Sequence, residues 1–414
     1  PFTSSFSNPK DQPHMTHDFI SLALIALIAA LAPLIANLIP KKPIPETVLL
    51  LIGGALLGPS VLNHIWLDES VLFLSDLGCA MLFLLAGFEI NPQTITGREG
   101  KRGLKTWLAT LALAFTLVMS LYHASFGELS IDALALAIAL TTTAIGALMP
   151  ILKERGIFTR KAGESVLAYG MWGELGPVIA MALLLSTRAP WITVIILFTF
   201  IALAVLVAVL GQRAAKAEHQ IFLVLSRGRN TTSQTFVRVT MFLLVGLVAV
   251  SAIFDLDIVL GAFAAGFILR YIVPENDHVL EEKLNAIGYG FLIPLFFVVS
   301  GAKIEVTAVL NQPLLLIGFI AMLLLVRAVP IFIALRSDKT PEVKALGWRN
   351  QVTVSLYCTT ALPLIVAVTS VAVSAGAMSS SLASVLVSAG ALTVLVMPLL
   401  ALLTYQESKD SSHQ

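Results

Sequence analysis

Two charged side chains fall where hydrocarbon would surround them, and any chemistry starts there. Glu174 lies about twelve residues from either end of the apolar stretch 162–186, and Arg327 lies near the middle of 313–335. A charge at the bilayer centre costs roughly 2.5–3.5 kcal/mol on insertion scales, so such residues are few and mostly functional. Arginine stays protonated and cannot cycle. A carboxylate can cycle, holding either a proton or a metal cation but not both. The competing reading is a purely structural ion pair between Glu174 and Arg327, since an uncompensated buried charge is costly. Asp76 sits about two turns into 70–90, whereas Glu89, Arg270 and Lys303 stand close enough to span ends to snorkel.

The residues around Glu174 sharpen the question. Gly170, Gly173 and Gly176 recur every third residue, and Pro177 follows. Small residues on one face admit a close neighbouring helix. Pro177 has no N–H, so the Gly173 carbonyl loses its helical donor and could face a cation beside Glu174. Simple packing with a kink explains the same pattern, and both readings stand.

The elements that must position Glu174 include two that look broken. Thr141-Thr142-Thr143-Ala144-Ile145-Gly146 falls in the middle of 131–152, and Thr359-Thr360-Ala361-Leu362-Pro363 in the middle of 350–373. Hydroxyl residues beside Gly or Pro make poor helix interiors. Unwound backbone at membrane depth is tolerated only where protein buries it or a cavity meets it. Continuous helices whose threonines bond back to their own carbonyls are the alternative.

Composition makes these elements membrane spans. The 414 residues are 57% hydrophobic and 12% charged, with a mean hydropathy of +0.90. Soluble domains carry about 25% charged residues. Apolar runs of about 20 residues suit a hydrocarbon layer roughly 30 Å thick. Thirteen are expected: 18–39, 44–61, 70–90, 104–124, 131–152, 162–186, 191–212, 235–254, 257–273, 285–304, 313–335, 350–373 and 381–404. Alternate loops and adjoining span ends hold 22 of the 26 Lys and Arg residues. By the positive-inside rule the N-terminus is outside and the C-terminus cytoplasmic, in an inner membrane. The broken segments 131–152 and 350–373 then run in opposite directions, as in transporters built from inverted repeats around a midplane ion site.

Other classes recede. Cys79 and Cys358 lie in apolar runs, which argues against a disulfide framework. All seven histidines fall in loops, tails or span ends, so no His-rich metal site lies inside the membrane. Neither paired aspartates at span centres nor an HExxH motif marks an intramembrane enzyme. No nucleic-acid partner is indicated. The organisation expected is a polar segment 1–17, a transporter domain 18–404 and a cytoplasmic tail 405–414, with the first apolar run too long for a cleaved signal core. In the basic loop 213–234, the stretch Ile221–Leu225 reads as an ordinary linker or a membrane-surface segment.

The order and spacing of several pieces resemble the membrane domain of monovalent cation:proton antiporter-2 proteins, the Kef-type and NapA-type exchangers. The pieces are Ser75-Asp76-Leu77-Gly78, Ala86-Gly87-Phe88-Glu89-Ile90, Leu152-Lys153-Glu154, Gly261 to Gly266, and Ile293-Pro294-Leu295-Phe296-Phe297 with Ser300-Gly301. The resemblance covers about 18–404. It implies an all-α polytopic fold with two inverted repeats and crossed broken helices, a homodimer, and Glu174 at the place of the family's essential aspartate. It places Arg327 where the family carries Lys or Arg. Gly173 replaces a residue that is commonly Asp, Asn or Gln, which favours electroneutral exchange of one proton for one cation. A Kef-type nucleotide-binding domain is not expected after residue 404.

The resulting expectation is Na+ or K+ exchange for protons. Glu174 alternates between ion and proton, Thr142, Thr143, Gly173 and Thr360 supply oxygens, and Arg327 compensates charge. The ions are cargo and no cofactor is expected. The rivals are an ion-coupled symporter of an organic solute, with Tyr169 and Trp172 facing a cavity, and a membrane sensor that does not transport.

Overall fold

The structure, a computed structural model, describes residues 12–38, 45–90, 97–126, 131–184, scattered positions between 195 and 209, 234–254, 256–273 and 278–406. Most of the expected span 191–212 and nearly all of the loop 213–234, with Ile221–Leu225, lie outside the described residues.

The described chain is almost wholly helical. Its first helices are α1 (Gln12–Leu38), α2 (Glu46–Leu57), α3 (Glu69–Glu89) and α4 (Arg98–Phe126). Two half-length helices follow, α5 (Ile131–Ala139) and α6 (Ile145–Glu154), then α7 (Lys161–Leu184). Next come α8 (Thr235–Ile253), α9 (Ile258–Ile272), α10 (His278–Ile287) and α11 (Ile293–Ala302), the last two joined by a π turn at Gly288–Leu292. The short α12 (Val306–Asn311) precedes α13 (Pro313–Leu323) and α14 (Val329–Ser337), joined by a second π turn at Leu324–Ala328. The chain continues through α15 (Pro341–Ala345), α16 (Gly347–Tyr357), α17 (Leu362–Ser374) and α18 (Ser380–Thr404). Several starts are set locally. Proline stands first in α13 and α15 and second in α17, where its missing N–H has no helical partner to lose. Ser379 and Asp257 cap α18 and α9 through their side chains.

Among the described residues, nine helical stretches are long and apolar enough to cross a membrane, and α2 and α9 are shorter apolar helices. With the broken passage α5–α6 they match the expected segments, apart from 191–212.

Burial sorts the helices. The apolar windows of α3, α7 and 347–374 are 72–78% buried, whereas those of α1, α4, α8 and 313–337 are only 22–28% buried. The outer helices turn Phe19, Phe242 and Leu314 outward, as lipid contact demands. The inner ones approach closely. A Cβ on Gly266 would overlap the Leu84 carbonyl, and one on Gly87 the Phe263 carbonyl, so α3 and α9 meet backbone to backbone. That is the physical reason for Gly266, while Gly261 makes room for Leu247 and Ser251 of α8.

Both suspected breaks are real. α5 stops at Ala139 and α6 starts at Ile145; α16 stops at Tyr357 and α17 starts at Leu362. Leu148 and Leu152 of α6 share one apolar cluster with Val354 and Tyr357 of α16 and with Ile331 and Leu335 of α14. On the other side α5 packs against α17. The first passage therefore reaches the crossing through α5 and leaves through α6, while the second enters beside α6 and leaves beside α5. This opposite sense is the inverted repeat. The side of α6 and α16 carries Lys153, Arg155, Lys344 and Arg349 and is called the basic face below. On it Lys161 pairs with Glu99 at 3.1 Å and Glu342 at 3.5 Å, and Arg102 pairs with Asp338, tying α4 and α7 to the 338–342 connection.

Candidate functional site at the helix crossing

Breaking two helices frees backbone groups at membrane depth, and each must find a partner. The Thr143 N–H donates to the Gly173 carbonyl at 2.8 Å, and the Ala144 N–H to the Thr360 carbonyl at 2.8 Å. The Thr143 hydroxyl donates to the Cys358 carbonyl at 2.5 Å. These bonds fasten the two breaks to each other and to α7. The hydroxyls of Thr141, Thr142 and Thr359 donate to Ile138, Ala139 and Leu356, capping the last carbonyls of α5 and α16. The threonines thus make the bonds back to their own helix that continuous helices would also show, but at the ends of half-helices.

The glycine stripe of α7 receives this crossing. A Cβ on Gly170 would meet Ile145 and Thr143, one on Gly173 would run into Arg327 Nη2 and Thr143, and one on Gly176 would strike the Trp107 ring. Close packing is therefore what the stripe provides. The carbonyl that Pro177 frees at Gly173 is bonded to Thr143 rather than left open.

Arg327 lies within the second π turn and is 1% exposed. Its Nε donates to Thr143 Oγ1 at 2.9 Å and its Nη2 to the Tyr169 carbonyl at 2.9 Å. Among the described residues no ion pair joins it to Glu174. The guanidinium instead fills the space that a side chain at position 173 would need. A π turn inside a span often marks a functional site; nothing in the local sequence announced this one.

Glu174 is 4% exposed. Its carboxylate accepts a hydrogen bond from the backbone N–H of Ile145, the first residue of α6. Helix N-termini carry a partial positive charge, and both α6 and α17 start at the crossing. Two buried side-chain oxygens there have no protein partner, Glu174 Oε2 and Thr360 Oγ1. Sequence reasoning thus singled out residues that converge: Glu174, Thr143, Gly173, Thr360 and Arg327 meet at one crossing, with Thr142 one residue away.

A cavity of about 880 Å³ opens on the face opposite the basic one. Asp76, Asp257, Lys303, Ser300, Thr369 and Ser384 line it, and Met181 of α7 reaches its wall. Met181 lies seven residues beyond Glu174, about 10 Å along a helix. The cavity therefore leads toward the carboxylate from that face. Tyr169 and Trp172 do not line it. Sequence reasoning missed Tyr289, whose hydroxyl would lie 3.7 Å from a Cβ on Gly146. It also read Glu89 as snorkelling, although Glu89 Oε2 is buried without a partner.

Comparison with known proteins agrees with this geometry. The family described as sodium/hydrogen exchanger, transmembrane, matches residues 24–402. A Bacillus subtilis protein, YjbQ, whose name assigns it Na+/H+ antiport, is 26% identical over 371 residues, covering 83% of this chain and 57% of its own length. The glutathione-regulated potassium-efflux system protein KefC of Shigella sonnei is 25% identical over 303 residues, covering 70% of this chain and 46% of its own length. The chain thus spans about half the length of these curated relatives. A solved sodium proton antiporter of Methanocaldococcus jannaschii superposes with a TM-score of 0.64 at 15% identity, covering 94% of this chain and 100% of that one. That likeness speaks for the fold.

Proposed function

This chain belongs to the transmembrane sodium/hydrogen exchanger family, and from that premise we propose that it exchanges Na+ or K+ for protons by alternating access. The observation that carries the reading is Glu174: a buried carboxylate at a helix crossing, one oxygen held by the Ile145 N–H and the other without a partner. An unpartnered buried carboxylate oxygen needs a guest, and a proton or a cation each neutralises it. Both cannot bind together, and that mutual exclusion is the coupling.

In the cycle, a cation enters through the cavity and meets Glu174, with Thr360 Oγ1 as a further oxygen. Thr142, Thr143 and the Gly173 carbonyl shape the crossing around it. Rearrangement of the helices exposes the same carboxylate on the basic face, where a proton replaces the cation; the return carries the proton. Arg327 keeps a fixed positive charge near the crossing in every state. One carboxylate alternating between two monovalent guests gives electroneutral exchange of one for one. The Lys and Arg distribution supports an outside N-terminus and a cytoplasmic C-terminus in an inner membrane. The outward apolar faces of α1 and α8 suit a second copy of the chain as well as acyl chains, and a homodimer is proposed. No observation favours solute symport.

The test is proton flux in proteoliposomes holding a pH gradient, read with a pH dye after addition of Na+, K+ or Li+. Wild type should dissipate the gradient with Na+ or K+, without generating a membrane potential, and Glu174→Gln should not. Exchange by Glu174→Gln at the wild-type rate would overturn the reading.

A further inference from the structure

Glu174 is not the only carboxylate with a buried, idle oxygen. Glu89 is the last residue of α3, which packs against α6. Its Oε2 is buried and has no partner. Tyr289, in the first π turn, brings its hydroxyl beside Gly146, the residue after the Ile145 whose N–H meets Glu174. Glu89 and Glu174 are near neighbours, and Tyr289 stands near both. Three acidic groups on three elements thus stand around α6, Glu174 and Tyr289 at its start and Glu89 toward Lys153. Glu89 and Tyr289 stand on the side of Glu174 away from the cavity, toward the basic face.

We propose that Glu89 is a second titrating carboxylate of the exchange cycle, a positioning residue whose charge sets the affinity of Glu174 for both proton and cation. The inference rests on the exchange reading above. Two carboxylates that share a water-poor space do not both ionise cheaply. Their protons belong to the pair rather than to either residue. A cation arriving at Glu174 then expels one proton from the pair, whichever oxygen carried it, and the total charge of pair and guest is unchanged. The other charged groups facing Glu89 are Lys153 on α6 and Glu281 on α10. Arg270 on α9 is engaged over the Phe88 ring, 5.8 Å from its centroid. Removing the charge of Glu89 weakens the hold of Glu174 on a proton, so half-maximal exchange moves to lower pH. It weakens the hold on a cation as well, so the cation KM rises.

The experiment measures initial exchange rates in proteoliposomes against pH and cation concentration for wild type, Glu89→Gln and Glu89→Asp. Glu89→Gln should still exchange, with its midpoint about one pH unit more acidic and its cation KM about tenfold higher, the fold-change that one unit of interaction implies. Glu89→Asp keeps the charge and should stay near wild type. An active Glu89→Gln with the wild-type pH profile and KM overturns the inference while leaving the exchange reading intact. Equal loss of activity in Glu89→Gln and Glu89→Asp overturns it too, by showing a structural requirement. A wild type without cation-driven flux overturns the exchange reading and this inference together.

Discussion

At the scale of single residues, Gly173 and Arg327 form one device. The absent Cβ makes room for a guanidinium, and the guanidinium bonds to Thr143 and Tyr169. Sequence pattern flagged both positions and suggested that the two buried charges pair with each other. It could not show that Arg327 finds neutral acceptors instead, because that choice depends on a backbone carbonyl 158 positions away and a hydroxyl 184 positions away in the chain. Gly173→Ala should push against both Arg327 and Thr143 and destabilise the protein by about 1–3 kcal/mol, as overpacking does. Its thermal transition in detergent should fall accordingly. Arg327→Lys retains the charge but loses the planar fork that reaches two acceptors at once. It should cost about 1.5–3 kcal/mol, the worth of a hydrogen bond to a charged group, by the same measurement. A transition unchanged from wild type in both variants would mean that the fit between Gly173 and Arg327 contributes nothing.

At the scale of elements, the breaks were readable because their residue types disfavour helix where each side chain stands. Three threonines before Gly146, and two before Pro363, carry that message within a few residues. The partners that satisfy the freed backbone were not readable: Thr143 bonds to Gly173 and Cys358, and Ala144 to Thr360, all through tertiary contact. The two π turns escaped for a similar reason, since apolar runs look alike whether a turn holds four residues or five. Glu89 was misread because proximity to a span end suggests an escape to water, whereas the packing of α3 on α6 closes around one of its oxygens. The threonines separate cleanly by role. Thr142 bonds only within its own turn, while Thr143 joins Arg327 to the Cys358 carbonyl. Thr143→Val should therefore cost about 1–3 kcal/mol through the buried groups it leaves unpaired. Thr142→Val should cost distinctly less. Equal losses in the two variants would deny the crossing its special dependence on Thr143.

At the scale of the whole molecule, the cavity approaches Glu174 from one face, and Glu89 and Tyr289 stand toward the other. Which face is which follows from charge. The basic face holds Lys153, Arg155, Lys344 and Arg349, and from the positive-inside rule we infer a cytoplasmic basic face and a cavity that opens outward. Cysteine labelling can test this directly. Ser370 lines the cavity and is exposed, and Lys344 is exposed on the basic face. Cys79 lines the same cavity and Cys358 lies at the crossing, so both are first replaced by alanine. In intact cells a membrane-impermeant maleimide should label Ser370→Cys and spare Lys344→Cys; in inverted vesicles the preference should reverse. Reversal of the whole pattern would turn the protein over in the membrane and leave the cavity facing the cytoplasm. Labelling of both positions from one side would do deeper damage, because the cavity and the basic face would then share a compartment and Glu174 would not separate two sides of a membrane.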